Sequence, residues 1–170
     1  LPSYFPEPKV PADNPMSAEK VELGRFLFYD RRLSGNGQQA CAGCHRQDLA
    51  FTDGLAQAIG STGEVHPRGA QHLVNVVYNA TLTWANPSLV TLERQMETPL
   101  FGERPIEMGV NDANKEAVLQ RLRDDTAAST YPQRFSAAFP AEAQPISWGN
   151  VIKAIAAFQD EERQEILVNS

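Results

Sequence analysis

Cys41-Ala42-Gly43-Cys44-His45 is the stretch on which the reading of this chain turns. Two thiols three residues apart can reach the two vinyl positions along one porphyrin edge and form thioethers there. The next side chain then projects under the ring, where an imidazole Nε2 can bind iron as the proximal ligand. C-x-x-C-H is accordingly the attachment signature of a c-type haem. A thioredoxin-like redox pair would want a βαβ context, which the flanking sequence lacks. Half of a zinc site would want a second cysteine pair, and the chain has only two cysteines. If haem is attached, both cysteines are consumed, no disulfide forms, and maturation takes place outside the reducing cytoplasm.

Working outward, the chain has 170 residues, 42% hydrophobic and 21% charged, with a formal net charge of −6. That length suits one domain with a core of its own. The longest wholly apolar run, Ala154-Ile155-Ala156-Ala157-Phe158, falls far short of the ~20 residues of a membrane-spanning helix. The 15 lysines and arginines are scattered along the sequence, so the basic footprint of a nucleic-acid binder is missing. The start at Leu1, without Met or a basic-then-apolar leader, fits either a recombinantly defined start or a mature secreted protein whose signal peptide has been removed, and composition does not decide between them.

Residues 1–16 carry five prolines and read as an extended arm. Ser17 is the expected N-cap of a first helix running to about Phe28, with Val21, Phe26, Leu27 and Phe28 as its apolar stripe. The glycine-rich stretch from Asp48 to Arg68 reads as one long loop, the kind that tends to be functional. His72 to Asn79 and Ser88 to Glu97 are expected short helical segments. Asn111 or Asp112 is expected to cap a helix that buries Val118, Leu119 and Leu122, and Ser147 a final helix presenting Val151, Ile155 and Phe158. Alternating strand patterns are almost absent, so the expected fold is all-α: a cytochrome c-like helical domain over 17–158, its long loops wrapped around the haem.

The second face of a haem decides its function. A Met or His in the sixth position makes an electron carrier, whereas an open position flanked by polar groups makes an enzyme. Met16, His66, His72, Met96 and Met108 are the candidate distal ligands.

Five further stretches carry a resemblance. LGRFLFYDRRLSGNGQQACAGCH, PRGAQHLVNVVYN, LTWANPSLVTLERQ, PIEMG and IKAIAAF follow one another in order. Together they resemble the N-terminal haem domain of the bacterial di-haem cytochrome c peroxidase and MauG superfamily, over about residues 17–158. The run FTDG…GSTGEVHPRGAQHLVNVVYNATLTWANP is most similar, within that superfamily, to the MbnH-like di-haem proteins of methanobactin operons.

The resemblance implies several roles. Cys41 and Cys44 would hold the peroxide-reacting haem, with His45 as its proximal ligand. Glu107, within PIEMG, would be the distal acid–base carboxylate, and Gln95 a distal-pocket glutamine. Trp84 would lie on the electron path between two haems, and Asn75 near a calcium ion at the domain interface. The partners implied are hydrogen peroxide and a redox protein: a cytochrome, a cupredoxin or a protein substrate. The location implied is the periplasm.

Two departures bear on these roles. Many family peroxidases carry a distal His after an Ile-Gly pair; counting from Ile59-Gly60, Ser61 stands at that position, which would leave the distal site open unless His66 substitutes. Family members also continue into a second haem domain with its own C-x-x-C-H, whereas residues 159–170 form a charged tail without cysteine. The leading expectation is a periplasmic haem oxidoreductase that reacts with peroxide and oxidises a protein partner. The alternative is a one-haem electron-transfer cytochrome without catalytic activity.

Overall fold

The computed structural model describes the backbone of residues 10–84, 86–126 and 130–168, with side chains as far as residue 160. Six α-helices appear among these residues: α1 (Ala18–Tyr29), α2 (Cys41–Cys44), α3 (Leu92–Phe101), α4 (Lys115–Arg123), α5 (Tyr131–Ala138) and α6 (Trp148–Val168). Three-residue 3₁₀ turns lie at Arg31–Leu33, Gln47–Leu49 and Val76–Tyr78. No strand forms among the described residues, only the isolated bridges Arg46–Thr52 and Ile59–Val65, so the fold is helical.

α1 begins where Ser17 Oγ accepts the Lys20 amide at 3.2 Å, which satisfies one of the first-turn donors. Its buried side is Lys20, Leu23, Gly24, Leu27 and Phe28. Phe26 is not part of that stripe: it turns outward beneath the guanidinium of Arg134, 3.6 Å from the ring centre. α1 packs along α6, and Gly24 permits the close approach, because a Cβ there would stand against the carbonyl of Ala154. Phe28 sits at the centre of the core, with the Phe158 ring at 5.3 Å and those of Phe51 and His45 both at 6.3 Å. Truncating so buried a ring costs about 3–5 kcal/mol.

The other helices follow local chemistry that only partly matches the sequence expectations. α3 starts at Leu92, because Asn86 Oδ1 ties up Ser88 in a turn and Thr91 Oγ1 takes the capping role toward Arg94 N. α4 starts at Lys115, after Asn111 and Asn114 knot the preceding turn by accepting the amides of Ala113 and Asn111. Its Val118, Leu119 and Leu122 are buried as the spacing indicates. α5 has no counterpart among the expected elements; Thr130 caps it and it buries Tyr131, Phe135 and Ala138. Ser147 Oγ accepts from Asn150 N at the start of α6, which continues past residue 158 to Val168.

Residues 10–16 strap this helical frame. Asn14 is buried and donates to Glu93 Oε1 at 2.8 Å and to the Lys153 carbonyl at 3.0 Å, while its Oδ1 accepts from Lys20 Nζ at 3.2 Å. Residues 1–9 of the expected arm and the last two of the expected tail lie outside the described residues.

Candidate haem site

α2 is a single turn holding Cys41 and Cys44, and His45 follows at its end. Both thiols are free. Burial pushes the Cys41 thiol up to about 12, and burial raises Cys44 as well, so neither is the low-pKa thiolate of a redox-active pair. Gln39 Nε2 donates to Cys44 Sγ at 3.0 Å. His45 Nδ1 lies 2.9 Å from the Phe51 carbonyl oxygen, which places the ring proton on Nδ1 and leaves Nε2 as the electron-pair donor. Burial holds the imidazole below the ordinary histidine range, against the opposing pull of the Phe51 and Gln71 carbonyls.

These residues open onto a cavity of about 690 Å³, within the range of cofactor sites. Its walls come from α2, from the loop of residues 58–73, from Val76–Trp84, from α3 and from the segment Arg104–Met108. Two thiols, an imidazole and largely apolar walls in one cavity fit a covalently held haem. Cys41 and Cys44 would carry the thioethers and His45 would bind the iron.

Glu107 lines the same cavity. Burial raises its carboxyl above the ordinary glutamate range, with the nearby His66 pulling the other way. The segment bearing it is fixed from both flanks. Ser61 N donates to the Glu107 carbonyl at 2.8 Å, and Glu64 Oε2 accepts from Ile106 N at 3.1 Å. Met108 N donates to the Pro99 carbonyl and Gly35 N to the Met108 carbonyl. Gly60 permits this packing, since a Cβ there would collide with the Ile106 carbonyl oxygen.

The structure brings Cys41, Cys44, His45, Gln95, Glu107 and Trp84 to one cavity. Trp84 stands at its edge, 56% exposed, with Nε1–H donating to the Gly69 carbonyl at 3.3 Å. Asn75 does not line the cavity; it sits at φ 56° ahead of the turn Val76–Tyr78, its Oδ1 buried without a hydrogen-bond partner. Of the candidate distal ligands, His66, His72, Met96 and Met108 line the cavity and Met16 does not. His66 is buried with Nε2 3.0 Å from the Ile106 carbonyl, so it braces the Glu107 segment. Ser61 is not a wall residue.

Sequence reasoning passed over Gln39, which sits two residues before the haem motif, and Gln159, a buried α6 residue with an unpartnered Oε1 on the cavity wall. It also passed over the arginines of the rim, Arg68 and Arg104. No local motif marks any of the four. A separate, smaller cleft of about 450 Å³ gathers Arg25, Arg31, Arg32 and Arg134, which are scattered in sequence. There Arg32 pairs with Asp30 and Asp125, and Tyr131 donates to Asp30 Oδ2 at 2.8 Å.

A family model described as di-haem cytochrome c peroxidase matches residues 18–165. The methylamine utilization protein MauG of Methylorubrum extorquens is 35% identical over 158 residues, covering 93% of this chain and 41% of that protein. The cytochrome-c peroxidase IdrP1 of Denitromonas iodatirespirans is 45% identical over 98 residues, 58% of this chain and 26% of that one. A crystal structure described as a MauG-like protein associated with microbial copper homeostasis superposes with a TM-score of 0.91 at 51% identity, covering all of this chain and 50% of that chain. The chain thus spans half or less of the length of each of these relatives.

Proposed function

Because the chain belongs to the di-haem cytochrome c peroxidase family, we propose that its cavity houses one covalently attached haem that reacts with hydrogen peroxide, and that the oxidising equivalents are spent on a protein partner in the periplasm. The carrying observation is that a half-buried carboxyl, Glu107, shares one cavity with the C-x-x-C-H residues. The MauG-like relative at 51% identity supports the finer reading, an MbnH-like oxidoreductase acting on a protein. The periplasm follows from thioether chemistry, which needs two reduced thiols and is completed outside the cytoplasm.

The haem, when bound, supplies the redox chemistry toward peroxide. The protein supplies ligation, access and proton handling. Cys41 and Cys44 fix the macrocycle, and the Phe51 carbonyl orients His45 by holding the Nδ1 proton. Glu107 takes a proton from one peroxide oxygen and returns it to the departing one, which a carboxylate can do when its pKa lies near the working pH. Gln95, two turns before the end of α3, offers the same space an amide that both donates and accepts. Trp84 provides an oxidisable ring at the cavity edge through which electrons from a partner can pass. Asn75, with its buried unpartnered Oδ1, offers one oxygen to a calcium ion. Among the described residues no cluster of three or more His, Cys, Asp or Glu could complete a metal site.

Stopped-flow mixing of the haem-loaded ferric protein with one equivalent of hydrogen peroxide tests this reading. Rapid spectral conversion, slowed by Glu107→Gln, supports it; a spectrum indifferent to peroxide overturns it. One observation favours a second reading, a one-haem electron carrier: the buried Met96 and Met108 line the same cavity. In that case the ferric protein is low-spin, and its spectrum changes when the coordinating methionine is replaced by alanine.

A further inference from the structure

Trp84 carries two contacts that the proposed electron path does not by itself require. The guanidinium of Arg68 lies over its indole, 5.1 Å from the ring centre, and the indole N–H is bound to the Gly69 carbonyl. Neither the sequence resemblance nor the cavity chemistry gives Arg68 a role. Its side chain makes no ion pair among the described residues; what it faces is the ring.

We propose that Arg68 tunes Trp84, raising the potential at which the indole gives up an electron, so that electrons cross the ring without a hole settling on it. Two physical effects act together. A cation over the face of a neutral indole is attracted to the ring quadrupole. Once the ring has lost an electron, that attraction becomes repulsion between two positive charges. Oxidised indoles ordinarily escape such a cost by losing the N–H proton. Here the proton is held by a backbone carbonyl, which is an acceptor but not a base, so the charge stays on the ring.

The electron balance is simple. Trp84 would give one electron toward the haem held by Cys41, Cys44 and His45, whose oxidising equivalents come from peroxide, and one electron from a reduced one-electron donor protein would refill the ring, with no net proton movement. With Arg68 in place the two transfers are coupled closely and the intermediate hole is too costly to accumulate. Without it, the hole would rest on an exposed ring, open to side reactions with solvent and oxygen. This consequence rests on the proposed role of Trp84, whereas the effect of Arg68 on the indole potential does not.

The haem-loaded protein in a Trp148→Phe background leaves Trp84 as the only indole. Differential pulse voltammetry of that protein, minus the same trace for Trp148→Phe/Trp84→Phe, isolates the Trp84 wave. Arg68→Gln is expected to move the wave to lower potential, and Arg68→Lys, which keeps a cation, to hold it near the parent position. The substitutions spare the backbone bond in which the Arg68 carbonyl accepts from Ala58 N at 3.0 Å. After one equivalent of peroxide, Arg68→Gln is expected to show an indole radical in the EPR spectrum severalfold stronger than the parent. A wave that stays in place in Arg68→Gln, or moves equally in Arg68→Lys, overturns the proposal. If the wave shifts as expected but Trp84→Phe leaves peroxide-driven oxidation of a donor protein unchanged, the tuning stands and the electron-path reading falls.

Discussion

His66 Nε2 meets the carbonyl oxygen of Ile106 at 3.0 Å across 40 residues of sequence, and this contact fixes the segment that presents Glu107 to the cavity. The ring is buried in the cavity wall, so His66, a candidate distal ligand, instead braces the segment that carries the proposed acid–base residue. His66→Ala is expected to destabilise the fold by about 1–3 kcal/mol, the cost of leaving a buried carbonyl unpaired. It should also slow the peroxide reaction, with the haem ligation spectrum unchanged. Thermal unfolding and stopped-flow on the same sample check both; a change from low-spin to high-spin iron in the variant would instead identify His66 as a ligand.

Glu107→Gln is expected to lower the peroxide rate constant by roughly 10²–10⁴-fold, the usual worth of a positioned proton carrier. In the parent the rate should fall with acid through a pKa above the ordinary glutamate range, because burial raises that carboxyl. Stability follows the same shift with its own sign. A carboxyl whose folded pKa is raised favours the fold below its unfolded pKa, and this contribution is lost as pH rises through the folded value. Glu107→Gln should therefore unfold at higher temperature than the parent at neutral pH, with the difference shrinking in acid. Paired melting curves across pH 4–8 read this directly.

Gly60→Ala places a Cβ against the Ile106 carbonyl oxygen, where backbone rather than a movable side chain must yield. A loss of more than about 2 kcal/mol is expected, in the range of overpacking and strain. Gly63→Ala, at φ 86° with open space around it, should cost only the ~1–2 kcal/mol of a left-handed backbone. Denaturant midpoints of the two variants give the ranking, and the peroxide rate should fall only for Gly60→Ala.

Cys41→Ala and Cys44→Ala should each leave one thioether, and the double variant none. Extraction with acidified butanone should then release haem from the double variant alone, and the pyridine haemochrome of each single variant should shift toward that of a singly attached haem.

Much of the frame was legible along the chain. Ser17 and Ser147 cap the helices they were expected to cap, because an N-cap acts through amides two or three residues away. Val118, Leu119 and Leu122 are buried because helical spacing alone selects one face. Phe26 was misplaced, since an aromatic ring can be satisfied by a guanidinium at the surface as well as by the core. α5 escaped notice, although Thr130 ahead of Tyr131-Pro132 is a serviceable start signal, because a two-turn helix offers little periodicity. α3 starts later than the expected Ser88, because Asn86 accepts the Ser88 hydroxyl and amide in a turn and Thr91 caps the helix.

The sequence by itself carried the haem-attachment motif and determined the helical class. The motif's two thiols and imidazole lie within about one turn of chain, and helix faces repeat every few residues, so both are written locally. Tertiary structure alone decided the rest of the site. His66 reaching Ile106, Ser61 bonding Glu107, and Arg68 standing over Trp84 are contacts across 40, 46 and 16 residues, counted from the positions themselves. No spacing rule encodes them; they exist because loops without periodicity are laid against one another by the packed helices beneath, and desolvation there raises the pKa of Glu107.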